Sequence, residues 1–399
     1  MTTYDCIIAG AGLSGFAAAL GAAQAGAKVL LLDKMPAAGG TAVYAMTPVL
    51  SGWQNSTIGD AAGKILADEL KKNNSFEWRR NRIVTDEDSL QYAMTNVLKN
   101  SGIDTLFSAT LCGAETKDGK ISSISAMTIG GLKKFTAANF VDATGDAVLS
   151  LLAGAEIIVP EDEESMTKTL MFKVRNVKNF DRETVVNLFK ENADKFPVKI
   201  VDAFMGLPLL DETEVLMNLT AITGNAADPA AYSNMHDELY KQIAPVMDFM
   251  RRNIPCFADA VVSKTAPAVG VRYTRSVKGL RSLTLDDIHN PEMPPEPVAF
   301  CGKYIGGHYV KQYKSPWGYE VSGNPAVPYG AIRVKGISNL VTAGRIIDAD
   351  PKVISAVRLA AGCLATGQAA GIAAALGIPD YDTLKKELER QNCLDWLKK

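Results

Sequence analysis

The stretch YDCIIAGAGLSGFAAALGAAQAGAKVLLLD, residues 4–33, decides the fold. Residues 4–9 form an apolar run of strand length, GAGLSG is a turn, residues 16–25 are Ala-rich and helical, and residues 28–32 are a second apolar strand. This is the order of a βαβ unit. Gly10 permits the tight turn, and Gly12, with Leu13 and Ser14 beside it, lets a pyrophosphate approach the backbone. Gly15 lets the helix lie on the sheet with its first N–H groups aimed at the anion. Asp33, followed by Lys34, stands where a carboxylate accepts hydrogen bonds from a ribose 2′-hydroxyl. A lone GxGxxG is weak, but strand, glycines, helix, strand and acid in this order is a specific dinucleotide-binding signal.

That unit alone does not separate NAD from FAD, so the flanking segments must decide. Gly39, Gly40, Thr41 and Ala42 follow soon after the acid, where a second bare backbone loop can approach an extended cofactor. An ordinary glycine turn is the alternative. Ala143, Thr144, Gly145 and Asp146 follow the buried strand 140–142, and Leu111, in an apolar segment upstream, joins the candidate set. Near the C-terminus, Ala343, Gly344 and Arg345 end the strand 340–343. A helix starting near Arg358 and Leu359 then points its positive end into the same crevice. Reduction of a flavin develops negative charge on its pyrimidine side, and a helix N-terminus stabilises that charge by on the order of 1 kcal/mol. A chain that returns after such a long excursion to complete the site suits FAD better than NAD.

The remaining sequence sets the frame. A chain of 399 residues exceeds what one core usually organises, so two lobes are expected. The net charge of −2 and the lack of a basic run argue against nucleic acid as a partner and against membrane docking. The six cysteines are scattered with no CxxC pair, so no metal site is expected, and they read as reduced intracellular thiols. Together with an N-terminus lacking a leader pattern, this predicts a cytoplasmic location. Residues 360–378 are long and apolar enough to suggest a membrane span, but their Ala and Gly content reads as a helix buried against a sheet.

Helices are predicted over 54–74 and 89–101, and strands over 103–115 and 121–129 around the turn KDGK. Beyond Gly154, the runs 169–174 and 215–220 read as sheet with a helix between them. Residues 228–253 follow as an amphipathic helix carrying Tyr232, Met235, Leu239, Ile243, Val246 and Met250 on one face. Asp228 and Pro229 mark its start. From Asp380 a polar helix presents Leu384, Leu388 and Leu394.

Four blocks then carry a resemblance: VDATGDAVLSLLAGA (141–155), VGVRYTRSVKGLRSLTLDDI (269–288), VPYGAIRVKGISNLVTAGR (327–345) and ATGQAAGIAAAL (365–376). With the N-terminal unit, they make nearly the whole chain resemble the FAD-dependent oxidoreductase family whose members are similar to the flavoprotein subunits of fumarate reductases. The resemblance implies an α/β fold: a discontinuous Rossmann-type FAD-binding domain with an inserted α+β substrate domain, and chemistry at the interface. Its cofactor contacts carry over to Gly10, Gly12, Gly15, Asp33, Gly40, Thr41, Asp146, Gly344, Arg345, Arg358 and Leu359. We divide the chain into 1–155 (FAD-binding domain, first part), 156–324 (substrate domain), 325–378 (FAD-binding domain, second part) and 379–399 (C-terminal helix). Two departures in the substrate domain, Pro255-Cys256-Phe257-Ala258 and Arg275 followed by Ser276, make transfer of any member's substrate unsafe.

Flavin redox chemistry needs hydride passage and a group that handles a proton. Among His236, His289 and His308, the glycine-flanked His308 in GKYIGGHYVKQY is favoured, with packing as its alternative role. Arg272 and Arg275 could clamp a carboxylate or form interlobe ion pairs. Tyr304 is a catalytic candidate, and Tyr273, Tyr309 and Lys311 rank lower. Tyr44 is a candidate to line the flavin, and Cys301 reads as a buried thiol. No second glycine fingerprint and no iron–sulfur cysteine cluster are present. Electrons must therefore come from substrates or carriers visiting one site, or from an electron-transfer partner. The expectation is an FAD-dependent oxidoreductase moving a hydride between flavin and a small polar metabolite. Alternatives are a flavoenzyme that oxidises its substrate only transiently, in isomerisation or elimination, and a non-catalytic nucleotide-binding protein. Homo-oligomerisation is left open.

Overall fold

Alternation along the first strand sets the layers. In Tyr4–Ala9, Cys6 and Ile8 enter one hydrophobic core, while Ile7 and Ala9 enter another on the opposite face. Val29–Leu32 repeats the division, with Val29 and Leu31 on the first side and Leu30 and Leu32 on the second. A strand buried on both faces has to be apolar throughout, which is why these segments read as continuous hydrophobic runs. The computed structural model describes residues 3–53, 57–161, 166–201, 203–306 and 319–398.

Strands Leu340–Thr342, Ala137–Asp142, Tyr4–Ala9, Val29–Leu32 and Asp104–Leu106 lie side by side in that order, each parallel to its neighbours. Ala9 aligns with Leu32 and with Asp142, and Asp142 aligns with Thr342, so the strands end together at one carboxyl edge. One face is covered by the helices Leu13–Gln24 and Ala360–Ala375. They approach backbone to backbone: a Cβ on Gly371 would lie 1.9 Å from the Ala18 carbonyl oxygen. Small residues are required for that contact, which accounts for the Ala and Gly content of both helices. Among the described residues no single helix is long and apolar enough to cross a membrane. Pro351–Val357 and Ala360–Ala375 pass that test together only as a pair bent by 91°, and the second of them is buried almost throughout.

The other face carries an antiparallel meander of Thr110–Lys117, Lys120–Thr128 and Gly131–Phe135. The predicted strand 103–115 is thus two strands. The chain turns at Ser108, whose φ is 52°, and the Ser108 and Ala109 N–H groups donate to the Met35 and Asp33 carbonyls. The helix expected over 54–74 spans Ala61–Lys72, capped by Asp60, which accepts from the Gly63 N–H. Residues 54–56 lie outside the described residues. The helix expected over 89–101 spans Glu87–Asn100 and is capped by Asp86.

The inserted lobe is a four-stranded antiparallel sheet in the order Gly206–Pro208, Val215–Met217, Phe172–Arg175, Val261–Thr265. Helices Arg182–Glu191 and Pro229–Asn253 pack on it around Phe189, Phe196, Phe204, Phe249 and Phe257. The long helix is capped by Asp228, and Met235, Leu239, Ile243, Val246 and Met250 are buried. The lobe leaves and rejoins the first through a short ribbon in which Ile157–Ile158 pairs with Ser276–Val277. From Val277 onward the chain is back in the first lobe's cores. Val277 itself lies on the meander side of the sheet, and Leu283, Ile288, Val298, Phe300, Cys301 and Ile305 belong to the helical side. By packing, the second part of the dinucleotide lobe therefore begins near 277 and not at 325.

Candidate active site

A cleft of about 740 Å³ opens above the carboxyl edge of the parallel sheet and runs between the lobes. This is where open α/β sheets place ligands, and the size suits one. Its floor is bare backbone. Gly10 has a φ of 98°, and a Cβ on Gly15 would fall 1.6 Å from the Gly10 carbonyl oxygen, so the turn closes against its own helix without side chains. Gly12 differs. The nearest atom to a Cβ there is the Gly40 Cα at 3.7 Å, so its free space faces the cleft. Gly12 is also the N-cap of Leu13–Gln24 and supplies no side chain to the first-turn N–H groups, which leaves them for an anion. Gly39, with a φ of 136°, carries the second loop into place, and its N–H donates to the Ala11 carbonyl at 2.8 Å.

Asp33 ties these pieces together. Its Oδ2 accepts from the Ala11 N–H at 2.5 Å and its Oδ1 from the Met35 N–H at 2.7 Å. Burial pushes its carboxyl up, against the pull of those two donors. The acid thus braces the glycine loop while lining the cleft with Lys34. Across the floor, Asp142 is fully buried and accepts from the N–H and hydroxyl of both Thr144 and Ser150. It holds the ATGD turn, so that Ala143, Thr144, Gly145 and Asp146 line the cleft. Asp146 accepts from Arg345 Nη2 at 3.1 Å and from the Thr274 hydroxyl at 2.9 Å. Burial would raise its carboxyl, but the Arg345 charge and the Thr274 bond outweigh that and hold it below the usual carboxylate range.

Leu13, Ser14, Thr41, Ala42, Arg345, Arg358 and Leu359 line the same cleft. Gly344 stands behind it: a Cβ there would meet Ser14 Oγ at 2.3 Å, and its N–H donates to Thr366 Oγ1 at 3.1 Å. Tyr44 also lines the cleft, with its hydroxyl held between Ala37 and Gln91. Leu111 does not belong to the site. It pairs with Ala126 in the meander and packs into the core on the far face of the sheet.

From the inserted lobe come Thr169, Met171, Asn218, Tyr232 and Arg272. Arg272 is 9% exposed, donating from Nη1 to the Thr167 carbonyl at 2.6 Å and from Nη2 to Asn218 Oδ1 at 3.4 Å. Burial, and then the positive charge of Arg358, bring its guanidinium down to about 9. No acidic side chain among the described residues pairs with it. Arg275, the other proposed clamp, is not in the cleft. Its Nε donates to the Asp146 carbonyl at 2.7 Å, so it props the ATGD turn from outside. Tyr304 is 48% exposed on a strand paired with Tyr319–Glu320, outside the cleft, because that segment packs with the first lobe. His308, with Tyr309 and Lys311, lies outside the described residues.

Several cleft residues were not singled out from the sequence, among them Thr169, Asn218, Tyr232 and Cys363. Thr169 and Asn218 sit in runs that read as plain sheet, yet Thr169 Oγ1 donates to Asn218 Oδ1 at 2.8 Å and so orients the amide beside Arg272. Tyr232 counted only as a packing position of its helix. Cys363 lies in the first turn of Ala360–Ala375, and burial pushes its thiol up.

The model of the FAD dependent oxidoreductase family matches residues 5–392. The chain belongs to that family. It is an FAD-dependent oxidoreductase, and the match is to this broad family, not specifically to fumarate reductase flavoproteins. Among solved structures, a geranylgeranyl bacteriochlorophyll reductase-like protein from Thermoplasma acidophilum aligns over 100% of this chain and 87% of its own, at 14% identity and a TM-score of 0.51. The myxobacterial chondrochloren halogenase CndH aligns over 98% and 79%, at 12% identity and a TM-score of 0.52. The p-nitrophenol 4-monooxygenase PnpA from Pseudomonas putida DLL-E4 aligns over 99% and 89%, at 11% identity and a TM-score of 0.52. At these identities the likeness is one of fold. No curated protein matches the chain.

Proposed function

We propose that this FAD-dependent oxidoreductase transfers a hydride between the flavin and a small polar metabolite bearing a carboxylate, held where the two lobes meet. FAD supplies a two-electron acceptor and donor. The chain supplies the rest. The bare loops at Gly12 and Gly40 and the unfilled N-terminus of Leu13–Gln24 would take the pyrophosphate, and Asp33 would take the ribose. The first turn of Ala360–Ala375, whose N-cap Leu359 contributes no side-chain cap, would face the pyrimidine end of the ring.

Arg272 carries the substrate half of this reading. A guanidinium has five N–H donors. The contacts of Arg272 to Thr167 and Asn218 fall only on Nη1 and Nη2, none on Nε. A buried cation without a counter-ion is costly, and a bidentate carboxylate is the partner that guanidinium geometry suits. Asn218, its Oδ1 engaged by Thr169 and Arg272, is left with its amide N–H₂ as a second donor.

The test is an anaerobic screen of carboxylate metabolites and their amides for bleaching of the bound flavin, repeated with Arg272→Ala. The reading expects bleaching by at least one carboxylate and not by its amide. It expects kcat/KM roughly a hundredfold lower in the variant, the equivalent of about 3 kcal/mol, with flavin content unchanged. Equal turnover in Arg272→Ala would remove the residue from the substrate site.

A further inference from the structure

One buried charge cluster lies outside the cleft. Glu87, on the first turn of the dinucleotide-lobe helix Glu87–Asn100, is 2% exposed. Its carboxylate meets Lys173 Nζ at 2.7 Å and Lys264 Nζ at 2.7 Å, both from the inserted lobe. Lys173 and Lys264 are partners across two adjacent strands. Lys173 is itself buried, and Lys264 is half-exposed, with Asp88 3.7 Å away on its outer side.

The position of this cluster matters for the cleft. Met171, which lines the cleft, lies two residues before Lys173, and Phe172 is paired with Met217, next to the cleft residue Asn218. At the other end, Gln91, one helical turn beyond Glu87, donates to the Tyr44 hydroxyl at 3.2 Å and to the Ala38 carbonyl at 3.4 Å. Both acceptors belong to the second glycine loop or the short helix after it. A single helix is therefore fastened to the cofactor loop by Gln91 and to the strands carrying the substrate wall by Glu87.

We propose that Glu87 is a positioning residue that sets the closure of the inserted lobe over the flavin cleft, a role that rests on the assignment of that cleft to FAD. The lobe is tethered covalently only through the ribbon 157–158 and 276–277. Across the interface, polar contacts run from the Ala268 N–H to the Tyr44 carbonyl at 3.0 Å, from Arg79 to the Pro208 carbonyl at 2.9 Å, from Thr274 and Arg275, beside the ribbon, to Asp146 at 2.9 and 2.7 Å, and through the Glu87 cluster. The first two are single hydrogen bonds. Glu87 is different because it neutralises the ammonium of Lys173, which is buried. Without it, the buried Lys173 is left unpaired beside the Lys264 ammonium, which keeps only Asp88 on its outer side, and relief comes from moving their strands outward into solvent.

The experiment uses the flavin-loaded full chain. In Glu87→Gln, the acrylamide quenching constant of the flavin fluorescence is expected to rise at least twofold, and the amides of residues 268–272 to exchange faster, with flavin per chain unchanged. Adding Lys173→Met to Glu87→Gln removes the uncompensated ammonium at similar volume and is expected to bring both readouts back toward wild type. A residue that only stabilised the fold would leave quenching in the folded chain unchanged and would raise exchange throughout the chain, not at 268–272 in particular. If Glu87→Gln does not accumulate, Glu87→Asp draws the carboxylate back by one methylene and should move both readouts in the same direction by less. Unchanged quenching and exchange in a folded Glu87 variant would overturn the proposal. A wild-type chain without flavin would instead overturn the assignment of the cleft, while the exchange measurement would still decide the role of Glu87.

Discussion

The two lobes wall the same cleft by different means. On the dinucleotide side the wall is backbone: Gly12 and Gly40 meet with no side chain between them, Gly10 lies against the Ala143 main chain, and Asp33 and Asp142 spend their oxygens on neighbouring N–H and hydroxyl groups. On the other side the wall is made of side chains. Thr169, Asn218 and Arg272 come from separate segments and meet because strands Phe172–Arg175 and Val215–Met217 are paired and Thr169 bridges to Gly270. A backbone wall recognises what every dinucleotide shares. A side-chain wall can be changed one residue at a time, which is the expected place for substrate choice on a common fold.

This contrast can be broken by substitution, and the largest effect is expected on the backbone side. In Gly15→Ala the new methyl would sit 1.6 Å from a main-chain oxygen with no flexible neighbour to yield. More than about 4 kcal/mol of stability should be lost, much of what a domain has. Thermal denaturation checks this, and a midpoint close to wild type would mean that helix and turn are not in contact. Arg272→Ala comes next, with its loss confined to substrate turnover. Arg275→Ala sharpens the distinction between the two arginines. It gives up one charged hydrogen bond to the Asp146 carbonyl, so stability should fall by about 1 to 2 kcal/mol with little change in kcat/KM. A large kinetic defect with intact flavin binding would return Arg275 to the substrate site.

The same contrast explains what was legible in the sequence. The βαβ unit, the buried Ala-rich helix and the amphipathic helix capped by Asp228 all follow from local rules: apolar period, glycine where a backbone must approach, a cap before a helix. The break at Ser108 was hidden because both halves of 103–115 are strand-like, and only the tertiary requirement to leave the parallel sheet separates them. Thr169 and Asn218 were hidden for a related reason. Each has the composition of an ordinary sheet position, and its meaning comes from a partner some fifty residues away. Arg272 and Arg275, three positions apart in one motif, could be told apart only by which one faces the cleft.

The central claim is that the bare loop at Gly12 carries the cofactor, and the most direct measurement is flavin per chain, from the visible absorbance of purified wild type and Gly12→Val. A side chain at Gly12 points into the cleft and not into protein, with the nearest atom 3.7 Å from its Cβ, so the variant should fold normally. The account predicts about one flavin per chain in wild type and less than roughly a tenth of that in the variant, a loss of more than about 1.4 kcal/mol in binding at micromolar protein. A folded Gly12→Val that retained full flavin would contradict it.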